Sequence, residues 1–226
     1  MANIFNRTSR GGFTLVELLV SITLGLTILL ATTKLFIESR ESFRYQQQWL
    51  DLHERGRHLI QFLSMEFKKI GYPAESFSGT ALTATDNSEE GNSDALTISY
   101  HGAKDCAGSS ATSIRYYIEN GDFRCDGNGP SSPTPQTLTS HIDGLQFRFG
   151  ADTDQDGSID RYLSADAVPD WDRVHTIQTA LLLRSQLPVR ESIDSKNYNL
   201  LGSSHGPFND RYLRTIYLTT THLRNH

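Results

Sequence analysis

The sequence predicts an α+β chain in which a long amino-terminal helix, one half membrane-spanning and one half amphipathic, precedes an antiparallel β-rich domain. Three observations carry this prediction. Residues 13–33 are almost continuously apolar, residues 34–70 keep a helical apolar period, and from Ala95 onward the period falls to two. The 226 residues suffice for a single-helix anchor and one modest globular domain, and are too few for two large ones.

The first segment reads GGFTLVELLVSITLGLTILLATT from Gly11 to Thr33. At 1.5 Å per residue, about 21 residues cross the roughly 30 Å hydrocarbon layer of a bilayer. Glu17 does not fit an ordinary span, because a carboxylate facing lipid costs on the order of 3 kcal/mol. It therefore calls for a partner and a function. A secretory signal is cleaved after its apolar region, whereas here the apparent processing signal, Arg10-Gly11-Gly12, precedes it. A cut between Gly12 and Phe13 would place a new amino-terminal charge about one turn from Glu17, on the same chain or on a neighbour. The plainer alternative is a signal or anchor with one tolerated charge. Arg7 and Arg10 are the charged residues that precede the span, so the positive-inside tendency keeps the first dozen residues in the cytoplasm and exports the rest.

Beyond Lys34 the residues Leu35, Phe36, Phe43, Leu52, Leu59, Leu63, Phe67 and Ile70 mark one helix face. Gly71 and Pro73 supply a stop, so the spacing predicts a helix over 13–70, roughly 87 Å long. Gly25 and Gly56 are its weak points. One reading lays the second half of this helix on a sheet; the other makes it an independent amphipathic or coiled-coil segment. His53 and His58 are five apart and lack the spacing of four that suits a shared metal.

Residues 74–93 read as a long polar loop. Strands are predicted at 95–100 and 113–118, and Asn120-Gly121 turns the chain into Phe123-Arg124-Cys125. With two cysteines there is one intrachain pairing, Cys106 with Cys125, and export to an oxidising compartment would favour it if the cell is Gram-negative. It would close a loop of about 20 residues, worth roughly 3 kcal/mol, and staple a hairpin. Residues 126–137, with three prolines, form a second excursion, and 138–149 resume as a strand.

Asp152-Thr153-Asp154-Gln155-Asp156-Gly157-Ser158-Ile159-Asp160 matches the front half of a calcium loop, with Asp152, Asp154, Asp156, the Ser158 carbonyl and Asp160 as candidate ligands. The twelfth position is Leu163, where such a loop needs a bidentate acid, so the alternative is a hydrophilic turn with solvated acids. The run from Val174 to Arg184 fits a buried central strand with Trp171 packed at its mouth. Residues 185–210 are a polar excursion, and 210–225 form a β-prone strand that ends the sheet.

The formal charge is −5, and losing residues 1–12 leaves 19 basic against 26 acidic residues. With no Lys/Arg cluster after the leader, this argues against a nucleic-acid partner. No G-x-S-x-G, H-E-x-x-H, P-loop or Ser-His-Asp pattern is present, so no enzyme is indicated and no cofactor is required.

Gly12-Phe13-Thr14-Leu15-Val16-Glu17 resembles the processing motif of type IV prepilins and of type II secretion pseudopilins. The D-R, T-T and L-R-N elements of the last segment, Asp210-Arg211, Thr219-Thr220 and Leu223-Arg224-Asn225, resemble the C-terminal pattern of PilW-type minor pilins more than that of the J-type pseudopilin. The resemblance implies a type IV pilin-like fold, the helix stem packed on an antiparallel sheet. It divides the chain into a cleaved leader at 1–12, a membrane or filament-core half at 13–33, an amphipathic half at 34–72 and an exported β-domain at 73–226. It further implies processing at Gly12 and N-methylation of Phe13 by a prepilin peptidase, with Glu17 pairing with a neighbour's amino terminus during assembly. The implied partners are the inner-membrane assembly platform, the major pilin, other minor pilins and a PilY-type tip adhesin. An adhesive or DNA-binding role is the further alternative.

Overall fold

The computed structural model describes residues 12–73, 79–102, 104, 106, 108, 110, 113–129 and 135–225. The chain forms two compact units, Met1–Arg44 and Tyr45–His226. One helix, α1 (Leu15–Phe67), contributes its first part to the amino-terminal unit and its remainder to the other. In the first unit every described residue is exposed, including Leu35, Phe36 and Phe43. The apolar face predicted for the second half of the helix is buried only from Leu52 onward, where Leu59, Leu63 and Phe67 join the core. The helix stops within a turn of its predicted end: Gly71 adopts φ +70° and donates its amide to the Ser99 carbonyl at 3.0 Å. Only glycine takes that conformation at little cost.

The second unit holds two principal antiparallel sheets. A five-stranded meander runs in chain order through β1 (Leu82–Glu89), β2 (Ser93–Ile98), β3 (Ile114–Glu119), β4 (Asp122–Gly127) and β5 (Gln136–Ser140). A four-stranded sheet joins β6 (Ile142–Ala151), β7 (Arg161–Leu163), β8 (Val174–Pro188) and β11 (Tyr212–His222) in the order β11-β8-β6-β7. A small hairpin pairs β9 (Tyr198–Leu200) with β10 (Ser203–His205). One core gathers Leu59, Leu63 and Phe67 of α1 with Ile98, Tyr116 and Phe123 of the first sheet and Phe147, Ile177 and Leu181 of the second.

Several expected loops are strands. Residues 82–89, within the segment read as loop, form β1; their polar alternation Thr83, Thr85, Asp86, Asn87, Ser88 gives little apolar period, and pairing to β2 places them. Residues 74–78 lie outside the described residues. The strand expected over 138–149 is two strands in different sheets, because His141 turns the chain at φ +67°. The excursion read at 185–210 contains the end of β8 and the β9–β10 hairpin, whose turn uses Leu201 and Gly202 at positive φ. Strand β8 is interior, as its apolar run predicts: Ile177, Leu181 and Leu183 face the main core, while Ala180 and Leu182 pack under Leu200, with Tyr198 and Phe208 beside them. Both faces are covered, which is why the run does not alternate.

The sheets are joined by side chains rather than by strand pairing. Over 142–147, β6 pairs only with β8, and its other edge carries two buried amides. Ser93 Oγ accepts from Leu145 N at 3.2 Å, and Asp94 Oδ2 accepts from Phe147 N at 2.7 Å. Asp94 Oδ1 also accepts from Asn87 N at 2.9 Å, fixing the bulge in β1. Left unpaired, each buried amide would cost about 1–3 kcal/mol.

Gly56 is not a weak point. A Cβ there would lie 2.3 Å from the Tyr217 ring, so the missing side chain is what lets α1 approach β11. His53 Nδ1 meets the Tyr217 hydroxyl at 2.9 Å, and His58 is exposed beside Glu54.

Candidate functional site

The amino-terminal candidates sit at the start of α1. Gly12 and Phe13 precede the helix and are exposed; Arg7, Arg10 and Gly11 lie outside the described residues. Thr14 is the cap. Its hydroxyl accepts from the Glu17 amide at 3.2 Å, while Glu17 Oε2 accepts from the Thr14 amide and hydroxyl, each at 3.1 Å. This reciprocal capping box satisfies two donors that the first turn would otherwise leave open. Its signature, Thr-x-x-Glu, stands in the sequence and shows that Glu17 has a local role as well as the long-range one expected of it. Glu17 Oε1 has no partner among the described residues.

The hydroxyls of the span are internally satisfied. Ser21 donates to Glu17 O, Thr23 to Val20 O, Thr27 to Leu24 O, and both Thr32 and Thr33 to Leu29 O, at 2.7–2.9 Å. A hydroxyl bonded to its own helix can enter hydrocarbon without stranding a donor. The helix is long and apolar enough to cross a membrane.

Cys106 and Cys125 form a disulfide with Cα atoms 6.2 Å apart. It does not staple the β3–β4 hairpin. Cys125 lies on β4, opposite Tyr116 of β3, while Cys106 lies in the β2–β3 connection, so the bond ties that connection across β3.

The Asp-rich segment is the β6–β7 loop. Asp152, Asp154 and Asp156 each bring a carboxylate oxygen within 4.8 Å of the others, close enough that one cation could be held between them. Asp152 is buried rather than solvated: its oxygens accept from Gln155 N at 2.6 Å and Gly157 N at 2.8 Å. Burial opposes its ionisation, but those amides outweigh it and hold the carboxyl below its usual range. Asp160 is not in the group; its Oδ2 accepts from the hydroxyl and amide of Thr153, which lower its pKa. Ser158 gives its amide to Asp156 Oδ1. The loop is thus closed by turns in which acids accept from nearby amides, and of the candidate carboxylates it brings Asp152, Asp154 and Asp156 together.

The C-terminal segment is fastened at both ends. Near its start, the buried Arg214 makes a bidentate pair with Asp210, both bonds at 2.6 Å, and reaches Asp143 Oδ2 at 2.7 Å and Asp194 Oδ2 at 3.4 Å. Arg184 and Arg190 join Asp143 and Asp194, balancing three acids with three cations, and Tyr198 donates to Asp194 at 2.6 Å. Burial works against the Arg214 charge, but Asp210 and Asp143 more than offset it and raise its pKa; the same hydrogen bonds lower that of Asp210. Beyond Asp210 in the D-R element, nothing in the sequence marked this cluster, because its members are spread from Asp143 to Arg214 and meet only when β6, β8, β11 and the segments before β9 and β11 converge. At the far end, Asn225 Nδ2 donates to Lys68 O and Ile70 O, each at 3.2 Å, capping α1. Between them Thr221 meets Ser64 of α1 at 3.1 Å.

Residues 111–225 match the family model described as Type IV Pilus-assembly protein W, PilW, and residues 7–33 match the prokaryotic N-terminal methylation motif. The chain belongs to the PilW family. Among solved structures, the type IV-like pilin TTHA1219 from Thermus thermophilus is similar at 14% identity, over 76% of this chain and 96% of that chain, with a TM-score of 0.48. No curated protein matches the chain. Membership makes the protein a type IV pilus-assembly protein with a structural, non-enzymatic role. The PilW match spans β3 to β11, and so covers the Arg214 cluster and the Asn225 cap. The Asp210-Arg211 and Leu223-Arg224-Asn225 elements lie within the match and supply Asp210 to the cluster and Asn225 to the helix end.

Proposed function

We propose that this PilW-family protein is a minor pilin that helps to start and build the type IV pilus. It is made with a leader at 1–12, cut after Gly12 by a prepilin peptidase and methylated on Phe13. Until assembly it rests in the inner membrane with its amino terminus inside and the β-domain in the periplasm. On assembly it exchanges lipid contacts along 13–33 for helix contacts with other subunits. The observation that carries this reading is the pairing of a methylation motif on the exposed, apolar first part of α1 with a match to the PilW family. Glu17 Oε1, without a partner among the described residues, supports a further contact: one oxygen holds the local cap, and the other is available to the amino-terminal charge of an adjacent subunit.

The partners that follow are the assembly platform, the major pilin, and other minor pilins with a PilY-type adhesin at the tip. Surface pili and secreted enzymes measured in a deletion strain and its complemented parent test the reading. Loss of pili with secretion intact is expected. Pili that persist while secretion fails would replace the proposal with a J-type pseudopilin role, and no change in either would leave an adhesive one.

A further inference from the structure

Among the described residues, each edge of the two principal sheets is guarded except one. Strand β1 carries Asp86 and Glu89 and a register shift between Thr85 and Glu89; β5 has five residues and sits beside a register shift; β7 has three residues. Strand β11 is different. It pairs with β8 in unbroken register from Arg214 to His222, through nine successive residues, and between those ends the sequence Thr-Ile-Tyr-Leu-Thr-Thr-Thr holds no charge and no proline. Its other edge is open: among the described residues, no backbone group from Thr215 to His222 bonds to any strand but β8. Ile216 and Leu218 on this strand are 38% and 64% exposed. A long, regular, uncharged edge with exposed apolar side chains is a template for pairing unless a partner takes it.

The surroundings of that edge indicate what the partner carries. A groove of about 360 Å³ is lined by Ser64 and Lys68 of α1 and by Thr220, Thr221, His222 and Arg224. No lining residue comes from β8, so the groove lies on the side of β11 away from its paired neighbour. Neither Lys68 nor Arg224 has an ion pair among the described residues, and the Lys68 carbonyl is already taken by Asn225. Two cations without an ion pair among the described residues, and a histidine, beside an open edge favour an acidic occupant. A second copy does not supply one through the same strand, since residues 211–225 contain no acid.

We propose that the open edge of β11 and the Lys68–Arg224 groove together form a docking site for an extended, acidic segment of a different polypeptide, which adds to the sheet as a further strand. Backbone pairing along 215–222 gives the occupant its extended form, and the groove selects its charge.

The full chain in detergent micelles is titrated into fluorescein-labelled eight-residue probes: alternating Glu and Val, alternating Lys and Val, and the Glu-Val probe with two prolines. Fluorescence anisotropy is expected to show the Glu-Val probe bound at least tenfold more tightly than the Lys-Val probe, and the proline probe unbound at the same concentrations. Lys68→Glu combined with Arg224→Glu weakens binding at least tenfold, and so does Leu218→Lys, which guards the edge with a charge. If either variant loses its melting transition, hydrogen exchange on the unaltered chain decides: the Glu-Val probe must slow the amides of 215–222. No binding of the Glu-Val probe, equal binding of the three probes, or unchanged exchange overturns the proposal. So does efficient homodimer cross-linking of Leu218→Cys that the Glu-Val probe fails to suppress, which would give the edge to a second copy.

Discussion

Gly56→Ala should destabilise the protein although it improves the helix. In an exposed helix interior the change would stabilise by about 1 kcal/mol. Here the new Cβ would lie 2.3 Å from two Tyr217 ring atoms and 2.6 Å from a third, where about 3.5 Å is needed, so the ring must move by roughly 1 Å. That ring is held by its hydroxyl, which bonds Leu52 O at 3.2 Å and His53 Nδ1 at 2.9 Å. Overpacking costs about 1–3 kcal/mol and a lost hydrogen bond about 1 kcal/mol more. Set against the helix gain, the net loss is about 1–3 kcal/mol, a fall in Tm of roughly 2–10 °C for a domain of this size. Thermal melts of the full chain in mild detergent measure it. The decisive control is the Tyr217→Ala background, in which the obstacle is gone and Gly56→Ala should turn stabilising by about 1 kcal/mol. If Gly56→Ala raises Tm in the unaltered chain, or if its effect is the same in both backgrounds, the close approach of α1 to Tyr217 is not what fixes this glycine.

Four further outcomes are expected. Arg214→Met removes the cation that three carboxylates share, leaving Asp143 to Arg184 and Asp194 to Arg190 and taking the bidentate partner of Asp210, and should cost about 3–5 kcal/mol, lowering Tm by about 10 °C; a shift under 2 °C would mean the cluster is idle. Burial first, and then the neighbouring Asp86, push the Asp94 carboxyl up from 3.8 to about 7 despite the amides of Asn87 and Phe147. The folded state therefore binds more protons than the unfolded one between pH 4 and 7, so stability falls as pH rises through that window and levels off above it. Urea titrations across that range should lose this slope in Asp94→Asn. Asn225→Ala uncaps α1 and should cost about 1 kcal/mol, visible as faster exchange of the amides near residues 68–72. Glu17→Ala should leave leader removal intact, as read by a gel shift, yet impair incorporation into pili; normal pili from that variant would refute the pairing role.

The helix, its stop at Gly71, the Asn120-Gly121 turn and the interior strand from Val174 to Arg184 were legible because each is encoded locally, by periodicity or by a residue that alone tolerates the backbone. The methylation motif was legible for a different reason: a modifying enzyme reads a linear stretch, so a signal over residues 7–33 is linear too. Local reading failed where placement depends on a neighbour. Strand β1 is polar, and only β2 makes it a strand; the 138–149 run is broken by one residue at positive φ; and Gly56 looked like a weak point because the Tyr217 ring that requires it is 161 positions away. The Asp-rich loop was legible as composition but not as geometry, since the same carboxylates that could hold a cation also accept from the loop's own amides. The sequence alone supplied the methylation motif and the apolar helix from which processing, anchoring and export are proposed, because those steps act on short contiguous segments. Only the tertiary structure decided what holds the domain together and which edge it leaves open, because a buried ion cluster, a helix cap from the last residues and an unpaired strand exist only once distant segments share one place.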